Sequence, residues 1–188
     1  MNVLVACEFS GVVRDAFIDA GHNAVSCDLL PSESRKGFHW QQDIFTMLER
    51  TKGYWDIMIA HPPCTAICVA GNRHYAGTQE RSDGIAFVEK LWTQDIPKIC
   101  IENPVGVLST KSTLGRASQY IQPYQFGHGE QKKTGLWLRG LPPLYPTKMV
   151  EGREQRIWKM SPSPDRPKER SRFYTGIAEA MANQWTKK

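Results

Sequence analysis

The stretch HPPCTAIC, residues 61 to 68, places Cys64 directly behind two prolines. Proline fixes its own φ and restricts the residue before it, so the pair stiffens the chain that carries the thiol. A cysteine that only packs needs no such frame, because buried cysteine behaves as a small hydrophobe. A nucleophilic cysteine needs an acid or base partner, a substrate pocket and an electrophile. An acid in a comparable setting is Glu102, which ends the apolar run KICIE and is followed by Asn103-Pro104. On its own, Glu102 could also cap a helix or pair with a lysine. His61, Cys64 and Cys68 bring metal ligation to mind, but no second ligand pair follows at zinc-like spacing, so no metal is expected.

The elements that must position these residues alternate along the chain. NVLVACE reads as a buried strand, because a short continuous apolar run is typical of parallel sheets. GVVRDAFIDAG places Val12, Val13, Ala16, Phe17 and Ala20 on one helical face and stops at Gly21, with Arg14 read as solvated. NAVSCD, FHWQQD, WDIMIA and KICIE are further strands. SDGIAFVEKLWTQD is a helix with Ser82 as its cap. YIQPYQF and KKTGLWLRG read as a closing antiparallel pair. YTGIAEAMANQW is a final helix capped by Thr175, returning Ile177, Met181 and Trp185 to the core. Strand–helix alternation in this order predicts an α/β fold, a doubly wound and mostly parallel sheet with an antiparallel closing strand. Residues 141–172 are proline-rich, basic and poor in apolar periodicity, and are expected to form an irregular arm. The whole chain, 1–188, reads as one domain.

In open α/β sheets, ligands bind beyond the carboxyl ends of the strands. The unusual residues collect there: EFSG after the first strand, Cys27-Asp28 after the second, Asp43-Ile44 after the third, HPPC after the fourth and ENP after the fifth. The net charge of +5 permits phosphate-bearing partners without requiring them. MNVLVACEF has no basic leader and reaches Glu8 too early for a signal peptide, and no run is long enough to span a bilayer. With the five cysteines read as reduced thiols, the expected location is the cytoplasm, with no membrane partner.

In their order, VACEFSG, CD, QQDIF, WDIMIAHPPC, IENP and GEQKKTGLWL resemble the cytosine-5 DNA methyltransferase family, over roughly the first 140 residues. The resemblance implies a Rossmann-like methyltransferase fold that uses S-adenosylmethionine. It implies a thiolate attack by Cys64 on carbon 6 of cytosine, with Glu102 protonating ring nitrogen 3, so that carbon 5 becomes enamine-like. A protonated carboxyl is needed for that role, and a dry pocket would raise the pKa of Glu102. Asn103 would hold Glu102, and Lys133 would supply charge. The donor would lie against Glu8, Phe9, Ser10, Gly11, Asp28, Leu29, Asp43, Ile44 and Pro62, with Asp28 suited to ribose hydroxyls and Asp43 to an adenine amino group. For the aspartates, helix capping or exposure is the competing reading.

Substrate contacts are expected from Pro63, Gln131 and Lys132, and from Arg73 in the polar loop TAICVAGNRHYAGTQER, read as a lid or a flexible connector. Where the family has two arginines after its glutamine, this chain has Lys133 and Gly135, so the bidentate fork is missing. Gly176 and Ala178 would allow close approach to the donor. The arm stands in place of a target-recognition domain. Its basic residues, with Trp158 placed to stack, suit weak and sequence-poor DNA binding or simple solvation. His22 and His128 read as ordinary surface residues. The expected activity is methyl transfer to cytosine in DNA. The alternatives are a free cytosine nucleotide, single-stranded DNA or RNA as substrate, or a methyltransferase-like module that binds without turnover.

Overall fold

A computed structural model describes residues 1–164 and 166–187. The apolar run Val3-Leu4-Val5 is fully buried in the middle of β1 (Asn2–Ala6). Then come α1 (Val12–Asp19), β2 (Asn23–Asp28), β3 (Phe38–Gln41), α2 (Ile44–Arg50) and β4 (Ile57–Ala60). A 3-10 turn (Val69–Gly71) leads to α3 (Asn72–Tyr75), α4 (Gln79–Trp92), β5 (Lys98–Pro104) and α5 (Leu108–Lys111). β6 (Gln119–Ile121), β7 (Thr134–Arg139), α6 (Arg156–Lys159), α7 (Arg166–Ser171) and α8 (Thr175–Trp185) complete the order.

The seven strands form one sheet in the order β3-β2-β1-β4-β5-β7-β6. β3, β2, β1, β4 and β5 pair in parallel, whereas β7 runs antiparallel to both β5 and β6. Alternate residues face opposite layers, as the pleat requires. Val3, Val5, Ile57 and Ile59 pack against Val13 and Phe17 of α1 and Ile177, Met181 and Trp185 of α8. Leu4, Ala6, Met58, Ala60, Ile99 and Ile101 pack against Met47 and Leu48 of α2 and Val88 and Leu91 of α4. The sheet is therefore wound on both faces. Strand order reverses between β1 and β4, which opens a crevice where the β1–α1 loop meets residues 61 to 64.

Several local expectations are revised. β1 ends at Ala6 because Cys7 adopts a left-handed φ of 59°, unusual for a residue with a Cβ. α4 starts earlier than its apolar periodicity: Thr78 caps it by accepting from the Arg81 amide, and the Ser82 hydroxyl donates back to the Thr78 carbonyl. Thr175 is the first residue of α8 rather than its cap, and His128 Nε2 accepts the Gly176 amide at 3.1 Å. His128 is thus a helix cap supplied from outside the helix.

Arg14 is not solvated but fully buried, with its guanidinium on Asp15, on the Ser26 hydroxyl at 3.0 Å and on the Ser32 hydroxyl at 3.3 Å. Gly176 is hemmed in by the Phe126 carbonyl, which a Cβ would strike, and Ala178 is buried in the core. That closeness packs α8 against the segment around Phe126. Gly176→Ala is expected to cost about 1–3 kcal/mol, read as a lowered melting temperature; an unchanged value would contradict the contact.

The 141–172 segment is less irregular than its composition predicts. It contains α6 and α7, and two glutamine side chains pin it to the body. Gln119 bonds both the carbonyl and the amide of Leu144, at 2.6 and 2.8 Å, and Gln184 does the same for Tyr145, at 2.9 and 2.8 Å.

Candidate active site

β4 is in register with both neighbours, Ala60 lying opposite Ala6 and Ile101, so the next residue, His61, stands beside Glu102. His61 Nδ1 lies 3.0 Å from Glu102 Oε2. Asn103 Nδ2 donates to the Pro62 carbonyl at 3.2 Å, which ties the carboxylate strand to the proline pair. Pro62 is buried, Pro63 exposed and Cys64 half-buried. The Cys64 carbonyl accepts the Ile67 and Cys68 amides at 3.1 and 2.9 Å, and this turn brings the two thiols together.

Cys68 is buried, and it is also the electrostatic partner of Cys64. A hydrogen bond from Cys64, and the amides of Gly71 and Ala70 in the 3-10 turn, lower the Cys68 thiol to about 6 against the opposing effect of burial. Cys64 is pushed up by that same hydrogen bond, by burial and by the charges of Cys68 and Glu102, while Lys132 acts against them. Negative charge in the resting pair therefore favours Cys68.

Glu102 behaves opposite to the expectation of a raised pKa. Burial alone would raise it, but the His61 hydrogen bond and charge, the Lys132 charge and the Thr134 hydroxyl outweigh burial and hold it below its usual value. Glu8 is buried as well, and its carboxylate caps α1, accepting the Val13 amide at 2.6 Å and the Arg14 amide at 3.1 Å. Burial raises the Glu8 pKa, against the charge of His61 and the two amides. His61 thus acts on two buried carboxylates, a role the sequence reading did not assign. Among the described residues, no group of three or more His, Cys, Asp or Glu side chains is arranged to hold a metal.

Of the two lysines, Lys132 faces the site. It is half-buried, its charge acts on both Cys64 and Glu102, and its Nζ donates to the Arg170 carbonyl at 3.0 Å. Lys133 is exposed, with its Nζ 4.7 Å from the centre of the Tyr120 ring. The strand alternation that turns Thr134 inward carries Lys132 with it. Gly135 has a packing reason: a Cβ there would lie 3.1 Å from the Trp137 indole, which would have to shift to admit a side chain. Gln131 turns toward the arm, its amide donating to the Glu154 carbonyl at 2.8 Å.

Arg73 is exposed on α3. The segment around it is anchored by Arg81, whose guanidinium bonds the Ala66 carbonyl at 2.9 Å and Asn72 Oδ1 at 2.8 Å. Val69 and Val107 add backbone bonds to Val105 and Ile67, so this loop is not a free connector.

The expected donor residues gather at the ends of β1, β2 and β3. Gly11 takes a left-handed φ of 78° that a side chain would strain. Phe9 is buried and Ser10 half-buried beside it. Asp28 Oδ1 accepts the Leu30 amide at 2.9 Å, and Leu29 next to it is 72% exposed. Asp43 caps α2 through the Thr46 amide at 2.9 Å, with Ile44 buried behind it. Gln42, whose amide donates to the Asp28 carbonyl, has its Nε2 buried without a partner among the described residues.

Three of the arm's cations meet the chain's own acids. Lys168 and Arg172 meet Glu33 at 2.7 and 3.1 Å, and Arg156 meets Glu130 at 3.0 Å. Glu33 in turn donates its amide to the Phe9 carbonyl, so α7 rests over the β1–α1 loop. The Trp158 side chain, expected to stack, lies outside the described residues. Clefts of about 460 and 540 Å³ occur elsewhere, between α1 and α8 and beside α2, and neither includes Cys64 or Glu102.

No protein-family model and no curated protein matches the chain. Solved structures do share its fold. A protein described as a DNA modification methyltransferase encoded within an E. coli prophage aligns with a TM-score of 0.53 at 12% identity, over 86% of this chain and 55% of its own. The S. pombe Dnmt2 methyltransferase aligns at 0.50 and 16% identity, over 86% and 54%. The Entamoeba histolytica methyltransferase EhMeth aligns at 0.55 and 15%, over 80% and 57%. The chain spans a little over half the length of each of these proteins. At such identities the likeness is one of architecture: a seven-stranded, doubly wound sheet closed by an antiparallel strand is the methyltransferase fold.

Proposed function

We propose that the protein transfers a methyl group from S-adenosylmethionine to carbon 5 of cytosine in DNA, through a covalent bond between Cys64 and carbon 6. The observation that carries this reading is the convergence of Cys64, Glu102, His61 and Lys132 at the carboxyl ends of β4 and β5. The residues at the ends of β2 and β3 fit a nucleoside-bearing donor: Leu29 offers an exposed apolar face, Asp28 a carboxylate at a strand end, and Gln42 a side-chain Nε2 with no partner among the described residues. When bound, such a donor supplies a methyl group already activated on a sulfonium.

The chain's own residues do the rest. Cys64 gives up its proton to the Cys68 sulfur and attacks carbon 6. Glu102 delivers a proton to ring nitrogen 3, and Lys132 balances the negative charge of the pocket. Carbon 5, now enamine-like, takes the methyl group. The carbon 5 proton then passes to solvent, and its bonding pair expels Cys64 as a thiolate, which takes its proton back from Cys68, and the aromatic ring is restored. Pro62, held by Asn103, fixes the sulfur's position, where small displacements cost rate steeply. Lys133, Gln131 and Arg73 lie farther out and suit contacts to the rest of the substrate.

One observation favours a smaller substrate. Because Lys168, Arg172 and Arg156 already pair with acids of the same chain, the arm offers less free charge to duplex phosphates than its composition promises. Labelled methyl transfer to duplex, single strand and free cytosine nucleotide tests both readings. Label in DNA is expected. Label in nucleotide alone would reject DNA, and donor binding without any label would make the protein a binding module. Asp28→Ala is expected to weaken donor binding about tenfold, the loss of one charged hydrogen bond; an unaltered dissociation constant in calorimetry would remove Asp28 from the site.

A further inference from the structure

We propose that His61 is a positioning residue that stores the proton Glu102 passes to the pyrimidine. The inference rests on the cytosine reading above and deepens it. His61 extends β4 by one residue and its amide donates to the Ala6 carbonyl at 2.9 Å, which fixes its backbone. Its ring packs on Phe173, with centres 4.8 Å apart. Nδ1 contacts Glu102 at 3.0 Å, and Nε2 is buried without a hydrogen-bond partner among the described residues.

The groups facing the ring come from several elements. Glu102 of β5 touches Nδ1, and Glu8 of the β1–α1 loop is acted on by the ring's charge, while Lys132, before β7, acts on Glu102 and on Cys64, which shares the loop of His61 with Cys68. In this proposal the ring starts as the cation and donates from Nδ1 to Glu102 Oε2, 3.0 Å away. An ionised Glu102 is an acceptor only and has no proton to give. The missing proton leaves His61 Nδ1, crosses Glu102 and ends on ring nitrogen 3. The imidazole is left neutral and the carboxylate is regenerated. The same proton returns along that path when Cys64 leaves carbon 6.

His61→Asn separates a proton store from a structural contact, because the asparagine amide can occupy the place of Nδ1 but cannot release a proton. Single-turnover transfer to a cytosine oligonucleotide is measured from acid to alkaline pH for both proteins. The expected result is a loss of about 10²-fold near neutrality, shrinking toward acid pH, where Glu102 takes up its own proton. An unchanged rate and pH profile would overturn the proposal. A second measurement needs neither turnover nor a variant: nitrogen NMR of the wild-type imidazole at neutral pH is expected to show both ring nitrogens protonated. A single-proton tautomer would overturn the proposal even if methyl transfer is real. Wild type that transfers no methyl group would defeat the cytosine reading instead, and the imidazole spectrum would still decide whether His61 holds the proton.

Discussion

Cys64→Ser is expected to lose methyl transfer by at least about 10³-fold while binding the donor with unchanged affinity. A serine hydroxyl at the same position keeps the shape of the turn, but its proton is far harder to remove. Cys68 cannot help, because a thiolate is too weak a base to deprotonate an alcohol. Donor affinity is read by calorimetry and transfer by single turnover. The residues at the ends of β2 and β3 that fit the donor belong to other strands, so the two readouts should separate. Retained transfer in the serine variant would remove covalent catalysis from Cys64. A parallel loss of donor affinity would mean that the substitution disturbed the pocket as a whole.

Glu102→Gln is expected to lower the single-turnover rate by about 10²- to 10³-fold with little change in donor affinity. The amide can occupy the same space but cannot pass a proton to ring nitrogen 3. The substitution should also alter the pH dependence of stability. Because folding depresses the Glu102 pKa, the carboxylate's stabilising contribution is present above the ordinary carboxylate range. It is lost as pH falls through the depressed value. The melting difference between wild type and Glu102→Gln should therefore shift against wild type on going from about pH 7 to about pH 3. A difference independent of pH would mean that His61 and Lys132 do not hold the carboxylate as described.

The sheet was legible because its parallel strands are buried on both faces. Val3-Leu4-Val5, Ile57-Met58-Ile59 and Ile99-Cys100-Ile101 are continuous apolar runs with few other readings. Placing the unusual residues at strand ends then grouped the candidate residues at one edge of the sheet, where the structure also puts them. What failed to show was assembled from distant segments. Arg14 is buried because Ser26 and Ser32, 12 and 18 residues along the chain, join its neighbour Asp15 around the guanidinium, and an adjacent acid alone reads as an ordinary surface pair. His128 caps a helix 48 residues away, and His61 meets Glu102 across 41 residues through the register of two strands. The start of α4 was missed because its first turn, Gln79-Glu80-Arg81-Ser82, is polar and gives no periodic signal. The Lys132 placement was readable in principle, since extending the alternation of β7 back from Thr134 puts Lys132, not Lys133, on the inner side.

Intact mass spectrometry after incubation with donor and an oligonucleotide containing 5-fluorocytosine tests the central claim most directly. Fluorine cannot leave carbon 5 as a proton does, so the chain should stay bonded to the methylated ring. The predicted product is protein plus oligonucleotide plus one methyl group in wild type, and none in Cys64→Ser. Unmodified wild-type protein, in a preparation that methylates ordinary cytosine, would contradict the account.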